Sequence, residues 1–317
     1  MQDNLLSTSK TLIIKPTNAC NFNCAFCSAK LLNIPLHNKL PEPLKQYILD
    51  YKPTNIIITG GEPLMNPKSY WDDLFDTLDK TQVDYWVSIT SNLVLWYNNP
   101  EEWDWLFNNP KVGVDTSFQY GDDRKDDKVY TEERFLDLFW KFYNRYQKKL
   151  DFISVINNDN VKYAIKTVEL AKELDVWVKL NSQLPVGKAT EYFPRYRLLE
   201  IYLELYNKGL ADHEGNLLNI ERKICPFSAS YKNCKQLKVV YVDINNCLIE
   251  GNCEEEISSQ GKYKVEKGVL FSKCYACPMY NICNGCSLNR QSTEPIKEEH
   301  CKWMKEHYIE LKKHDLI

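Results

Sequence analysis

The stretch "TLIIKPTNACNFNCAFC", residues 11–27, joins an apolar run to three cysteines, Cys20, Cys24 and Cys27, in the spacing C-x3-C-x2-C. The apolar run predicts a buried strand. A tetrahedral structural zinc site needs four ligands, whereas an iron-sulfur cluster held by three thiolates leaves one iron open. From the cysteines alone, three interpretations stay open: a cluster, a zinc site completed from elsewhere, and a loop of buried cysteines.

The run "TLIIKPT" is the first of six similar apolar runs, and helical patterns lie between several of them. This alternation predicts parallel strands flanked by helices, either in an open doubly wound sheet or in a barrel. In both architectures the functional residues lie at the carboxyl ends of the strands. The predicted strands are "TLIIKPT", "NIIITGG", "DYWVSITSN", "KVGVDTSFQ", "LDFISVINN" and "VWVKLNSQL".

A second motif, "TGGEP" at residues 59–63, ends the second predicted strand. Gly60 and Gly61 lack side chains at a point where backbone can approach a ligand, and their permissive dihedral angles allow a sharp exit from the strand. A Gly-Gly turn followed by Pro63 explains the same residues without a ligand. Taken alone, the motif leaves both interpretations open.

Composition restricts the class of protein. The chain has 317 residues, a formal net charge of -3 and a pI near 6.0, so it shows no basic surface for nucleic acid or an acidic membrane. No apolar run approaches the roughly 20 residues of a membrane span, and the N-terminus has no signal-peptide pattern. We therefore expect a cytoplasmic protein with no nucleic-acid or membrane partner, in which clustered thiols indicate metal or redox chemistry.

The 12 cysteines are unevenly distributed: three lie at residues 20–27 and nine lie between residues 225 and 301. This distribution predicts a barrel-sized domain at residues 1–210 and a separate metal-rich module at residues 211–317. Two CxxC pairs in the module suggest zinc, but their separation is short for a zinc ribbon and nine thiols exceed the need of one zinc ion. Two further iron-sulfur clusters fit the module better.

The cysteine motif and GGEP together resemble the radical S-adenosylmethionine (SAM) family, over roughly residues 10–190. The resemblance implies a partial six-stranded (β/α) barrel in which the three cysteines hold a 4Fe-4S cluster whose open iron binds SAM. It also implies that Phe26 packs against the adenine and that Gly61 and Glu62 meet the SAM amino group.

The same resemblance suggests further SAM contacts at strand ends. After the fourth strand many relatives carry Asp-Gly and then His-Asp with an Arg three residues on, whereas this chain has "GDDRKDDKVY" at residues 121–130, so Arg124 is a candidate for the SAM carboxylate. Polar strand-end residues also cap helices for structural reasons. The remaining candidates are Ser91, Asn92, Ser117, Gln119 and Asn181.

The tail, with "CYACPMYNICNGC" at residues 274–286, resembles the SPASM domain, which carries two auxiliary 4Fe-4S clusters in many radical SAM enzymes that modify peptides. With the SAM-binding cluster, the resemblance implies three clusters and 11 cysteine ligands. One thiol is then spare, and the candidate is Cys247, which is a rival to the other hairpin cysteines as an auxiliary ligand. The spare thiol is either inert, a hydrogen-atom donor to a substrate radical, or an extra thiol near the substrate. The implied auxiliary ligands are Cys274, Cys277, Cys283 and Cys301 for one cluster, and Cys286 with Cys225, Cys234 and Cys253 for the other.

The resemblance implies an oxidoreductase-type enzyme that matures a ribosomally made peptide by thioether or carbon-carbon crosslinking, oxidation or epimerisation. The implied partners are a peptide or protein substrate, an electron donor such as flavodoxin or ferredoxin, and a separate protein that binds the leader peptide. Two alternatives stay open. One is a radical SAM dehydrogenase acting on a small metabolite or on a Ser or Cys side chain of a target enzyme, and the other is a zinc-bound interaction module.

Overall fold

The six apolar runs form strands in which buried side chains alternate with more exposed ones. In the first strand, Leu12 and Ile14 are buried, and Thr11 and Ile13 are half-buried. A computed structural model describes residues 10–27, 29, 32–183, 193, 197–217, 237–251, 305, 306, 309 and 313. The strands are β1 (Thr11–Ile14), β2 (Asn55–Ile58), β3 (Trp86–Thr90), β4 (Val112–Ser117), β5 (Asp151–Ile156), β6 (Val178–Ser182), β7 (Leu237–Val242) and β8 (Leu248–Gly251).

Helices separate the strands along the chain, as the sequence pattern predicts. The longest described helix begins after Thr131, whose hydroxyl accepts the backbone N–H of Arg134, and it buries Phe135, Phe139 and Phe142 on one face. The α-helices are α1 (Glu42–Tyr51), α2 (Lys68–Lys80), α3 (Val94–Asn98), α4 (Asp104–Phe107), α5 (Glu132–Tyr146), α6 (Ala164–Leu174) and α7 (Leu198–Asn207). No described helix is long and apolar enough to cross a membrane.

The chain divides into two compact units. The first takes in the described residues of Met1–Phe118, Asp122–Leu150 and Gln236–Glu256, and the second those of Gln119–Gly121, Asp151–Lys235 and Ile257–Ile317. Strands of the first unit lie in the order β4-β3-β2-β1-β7-β8, and all pair in parallel except β8, which runs antiparallel to β7. In the second unit β5 pairs in parallel with β6. The predicted α/β fold with a parallel sheet is confirmed.

The hairpin β7–β8 belongs to the first unit, where β7 pairs with β1 so that Ile14 lies opposite Val240. Most of the cysteine-rich segment that follows lies outside the described residues. The predicted boundary at residue 210 and the separate metal-rich module therefore stay predictions.

Two side chains close the edge of β6 in the second unit. Glu214 accepts the backbone N–H groups of Leu180 (2.9 Å) and Leu217 (2.7 Å), and Asn216 donates its amide to the Leu180 carbonyl (2.6 Å). The side chains thus satisfy both backbone groups of Leu180, as a neighbouring strand would. Glu214 is fully buried, and burial raises its pKa to about 7 although three hydrogen-bond donors oppose the shift.

Glu214 makes the stability of the protein depend on pH. Because the folded pKa exceeds the unfolded one, its contribution is fully present below about pH 4 and is lost as pH rises through 7. Between pH 5 and 8 this residue should lower the free energy of unfolding by about 2 to 3 kcal/mol. Glu214→Gln cannot ionise, so its stability relative to wild type should rise over that range in denaturant titrations.

Glu204→Gln is the control, since Glu204 lies on α7 in the same unit, and its side chain is 55% exposed beside Lys208. This variant should follow the wild-type pH profile. A Glu214→Gln profile that also runs parallel to wild type between pH 5 and 8 contradicts the assignment.

Candidate metal and cofactor site

The cysteine loop, residues 15–27, follows β1 at the carboxyl edge of the first unit's sheet. Cys24 is buried, Cys20 and Cys27 are half-buried, and none of the three forms a disulfide. The backbone N–H of Phe22 donates to the Cys20 sulfur at 3.3 Å. Burial, opposed by this hydrogen bond, raises the pKa of Cys20 to about 12, and the charges of Glu62, Cys27 and Cys24 add to the shift. The Cys20 thiol therefore interacts electrostatically with Cys24 and Cys27, and metal binding would release its proton.

Among the described residues, no three His, Cys, Asp or Glu side chains form a site for a single metal ion. Each thiolate of an iron-sulfur cluster binds a different iron, so its ligands need not converge on one point as zinc ligands do. Three electrostatically coupled thiols on one loop fit a cluster on this ground. Of the other predicted ligand cysteines, all eight lie outside the described residues.

The far side of the cysteine loop is attached to the segment that follows β4. The backbone N–H of Asn23 donates to the Lys125 carbonyl (2.8 Å), and that of Ala25 donates to the Asp123 carbonyl (3.2 Å). Phe22, inside the loop, packs edge-on against Tyr130 with ring centroids 5.4 Å apart. Sequence reasoning missed this attachment, because it joins residues about 100 positions apart and depends on the fold.

The GGE segment, residues 60–62 after β2, contacts the start of the cysteine loop directly. Gly61 donates its N–H to the Thr17 carbonyl (2.9 Å), and Glu62 donates its N–H to the Ala19 carbonyl (2.7 Å). A Cβ atom on Gly61 would lie 2.7 Å from the carbonyl carbon of Asn18 and closer still to the Ala19 oxygen. Gly60 adopts φ of 148°, a region that favours glycine. The close approach predicted for a ligand is made here by the backbone of the cysteine loop.

Glu62 ties this segment to the end of β3. One carboxylate oxygen accepts the Ser91 hydroxyl (2.6 Å) and the Leu64 N–H (3.0 Å), and the other accepts the Asn92 N–H (2.8 Å). Glu62 is only 1% exposed, and burial raises its pKa against the effect of these donors and of Arg124. The predicted contacts of Glu62, Ser91 and Asn92 with SAM stay predictions.

Arg124 contacts two other residues that the sequence predicts to bind SAM, Ser117 and Phe26. Its Nη1 donates to the Ser117 hydroxyl at 2.7 Å, and its guanidinium carbon lies 5.5 Å from the centroid of the Phe26 ring. The side chain is 8% exposed, and its Nε has no hydrogen-bond partner among the described residues. A buried guanidinium with an unused donor fits an anionic ligand group such as a carboxylate.

The two predicted SAM contacts in the second unit are Gln119 and Asn181. Gln119 is fully buried, and both of its amide atoms lack a hydrogen-bond partner within the described ranges. The same holds for the buried side-chain oxygen of Asn181. Buried polar atoms without partners are costly, so these amides are suited to a ligand.

Cys247, the predicted spare thiol, is exposed in the turn between β7 and β8, where its backbone N–H donates to the Asp243 carboxylate at 2.9 Å. Because β7 lies beside β1 and parallel to it, this turn and the cysteine loop leave the sheet of the first unit at the same edge. A hydrogen-donor role for Cys247 stays a prediction.

The Gly61 contact can be tested by Gly61→Ala. The added methyl group must displace the backbone at Ala19, so we expect the free energy of unfolding to fall by about 1 to 3 kcal/mol and the iron content of the purified chain to fall with it. Denaturant titration and an iron assay measure both effects.

Gly215→Ala is the matched control, because its Cβ atom would make only ordinary contacts at 3.7 Å. It should keep wild-type stability and iron content. If Gly61→Ala behaves like this control, the docking of the cysteine loop onto the GGE segment is wrong.

Comparisons with known proteins agree with this geometry. Residues 14–171 match the model of the Radical SAM superfamily. Native anSMEcpe with bound AdoMet shares 17% sequence identity, with 96% of this chain and 98% of that chain covered and a TM-score of 0.67. Streptococcus suis SuiB bound to precursor peptide SuiA shares 16% identity, with 89% and 72% covered and a TM-score of 0.57. No curated protein matches the chain.

The likeness to the two solved structures shows a shared fold, and the superfamily match covers both the cysteine loop and the GGE segment. Residues 14–171 therefore form a radical SAM domain, which indicates that the chain is an enzyme.

Proposed function

We propose that this chain is a radical SAM enzyme that modifies a peptide. The observation that carries the proposal is the loop of Cys20, Cys24 and Cys27, docked by backbone hydrogen bonds onto the GGE segment within a radical SAM domain. A 4Fe-4S cluster bound there supplies a low-potential electron and an open iron for the amino and carboxylate groups of SAM.

With a cluster held by Cys20, Cys24 and Cys27, one-electron cleavage of the C5'–S bond of SAM would yield methionine and a 5'-deoxyadenosyl radical, which would take one hydrogen atom from the substrate and end as 5'-deoxyadenosine. The electron comes from a donor of the flavodoxin or ferredoxin class, or from dithionite in the laboratory.

The residues of the chain orient SAM for this cleavage. Arg124 is the candidate for the SAM carboxylate because it is buried, cationic and carries an unused Nε donor. Phe26, which lies against the Arg124 guanidinium, is the candidate for the adenine. Gly61 and Glu62 are candidates for the amino group and Asn181 for the adenosine, and Gln119 is a further candidate for a contact with SAM.

Two auxiliary 4Fe-4S clusters in a SPASM-type tail are part of the proposal. The support is the sequence: nine cysteines follow residue 224, and only eight are needed for two clusters of four ligands. This count leaves one thiol spare, and Cys247 is the candidate.

A peptide substrate is supported by the proteins that share the fold. Native anSMEcpe has been solved with bound AdoMet and Cp18Cys peptide, and SuiB with precursor peptide SuiA. Crosslinking and side-chain oxidation each remove two hydrogen atoms from a peptide, whereas epimerisation leaves its mass unchanged. The mass of peptides incubated with the enzyme, SAM and dithionite separates epimerisation from the other two reactions, and their fragmentation distinguishes a crosslink from an oxidised side chain. A modified metabolite in place of a peptide would favour the alternative dehydrogenase.

SAM cleavage tests the proposal, with Arg124→Met as the informative variant. Wild-type enzyme should form 5'-deoxyadenosine from SAM under dithionite. Loss of a charged hydrogen bond, worth about 1.5 to 3 kcal/mol, should raise the KM for SAM at least about tenfold. Liquid chromatography of 5'-deoxyadenosine at varied SAM concentrations measures both.

Arg134→Met is the control, because Arg134, like Arg124, lies over an aromatic ring: its guanidinium carbon is 5.4 Å from the centroid of the Tyr130 ring. Unlike Arg124, it pairs with Asp126 near the surface. Its KM for SAM should stay within about twofold of wild type, as for other surface ion pairs. Wild-type enzyme that forms no 5'-deoxyadenosine contradicts the proposed function, and equal KM values for the two variants contradict the role of Arg124.

A further inference from the structure

The side chain of Asn92 lies between the GGE segment and the cysteine loop. It is 6% exposed, and its amide nitrogen lies 3.9 Å from the Cys20 sulfur and 2.7 Å from the side-chain oxygen of Asn21. The sequence suggested a contact between Asn92 and SAM, whereas these distances direct its N–H groups to the cysteine loop.

One hydrogen bond fixes the orientation of the Asn92 side-chain amide, and another holds its backbone. Its Oδ1 accepts the N–H of Val94, the first residue of α3, at 3.0 Å, and its backbone N–H donates to Glu62 at 2.8 Å. A flipped amide would place an NH2 group against the Val94 N–H and lose this bond. The oxygen therefore faces α3, and the nitrogen faces Cys20 and Asn21.

Cys20 thus has two N–H groups directed at its sulfur, from the Phe22 backbone at 3.3 Å and from Asn92 at 3.9 Å. The second distance is long for a neutral thiol. A ligating thiolate carries more negative charge, and hydrogen bonds to charged acceptors are shorter and stronger than those to neutral ones.

We propose that Asn92 is a positioning residue that sets the reduction potential of the SAM-binding cluster, an inference that rests on the proposed function. Reduction adds one electron from the donor to the cluster, and no bond to Asn92 forms or breaks. The added negative charge is shared by the ligating sulfurs, so an N–H group aimed at Cys20 favours the reduced form. Hydrogen bonds to sulfur are among the means by which proteins set cluster potentials.

Asn92→Ser tests this role because serine can still accept the Val94 N–H as a helix cap but is too short to reach Cys20. At the wild-type midpoint potential, the ratio of reduced to oxidised cluster should fall about three- to tenfold, or about 28 to 59 mV at 59 mV per tenfold. The measurement is a redox titration of the electron paramagnetic resonance (EPR) signal that changes on addition of SAM, which separates this cluster from any auxiliary ones.

Asn66→Ser is the matched control, because Asn66 is equally buried and donates its amide to the Pro63 carbonyl at 3.0 Å. It should leave the midpoint potential unchanged. Asn92→Asp, which keeps the size of the side chain but replaces the donor with an acceptor, should lower the potential further than Asn92→Ser.

A wild-type midpoint potential in an iron-replete Asn92→Ser variant overturns the inference, as does loss of the cluster in both Asn92 variants, which would make the role structural. A wild-type protein without a SAM-sensitive signal contradicts the proposed function itself. The two failures are therefore distinguishable.

Discussion

The candidate site depends on the docking of one backbone segment onto another. The N–H groups of Gly61 and Glu62 donate to the carbonyls of Thr17 and Ala19, and the absence of a Cβ atom at Gly61 permits the approach. These contacts join the loop after β1 to the loop after β2, so the cysteines take their position from the sheet. The same segment then uses the buried Glu62 carboxylate to hold the loop after β3.

Burial raises the pKa of Glu62, and its neighbours oppose that shift. The Glu62 carboxylate is held by three hydrogen-bond donors, and the charge of Arg124 further favours its ionised form. The Arg124 guanidinium donates to Ser117, and its Nε has no hydrogen-bond partner among the described residues, so part of its donor capacity is unused. A buried cation with donors to spare is stable only if an anion or water completes it. The role proposed for SAM meets that requirement with its carboxylate.

The features of the fold and the site that depend on short stretches of sequence were predictable. Apolar, β-branched runs predicted β1 to β6, and the cysteine spacing with GGEP predicted the radical SAM domain. The partner of Gly61 was not predictable, because Ala19 lies 42 positions earlier and only the folded sheet brings the two together. The direction of the Asn92 amide and the burial of Arg124 likewise depend on several elements at once. The pairing of β7 with β1 is also a long-range contact.

The most direct test of the central claim is the iron and sulfide content of anaerobically purified protein, wild type against a variant with Cys20, Cys24 and Cys27 all changed to Ala. If the docked loop holds one of three 4Fe-4S clusters, wild type should contain about 12 irons per chain and the variant about four fewer. Zinc in place of iron, or an iron content that the substitutions leave unchanged, would contradict the claim.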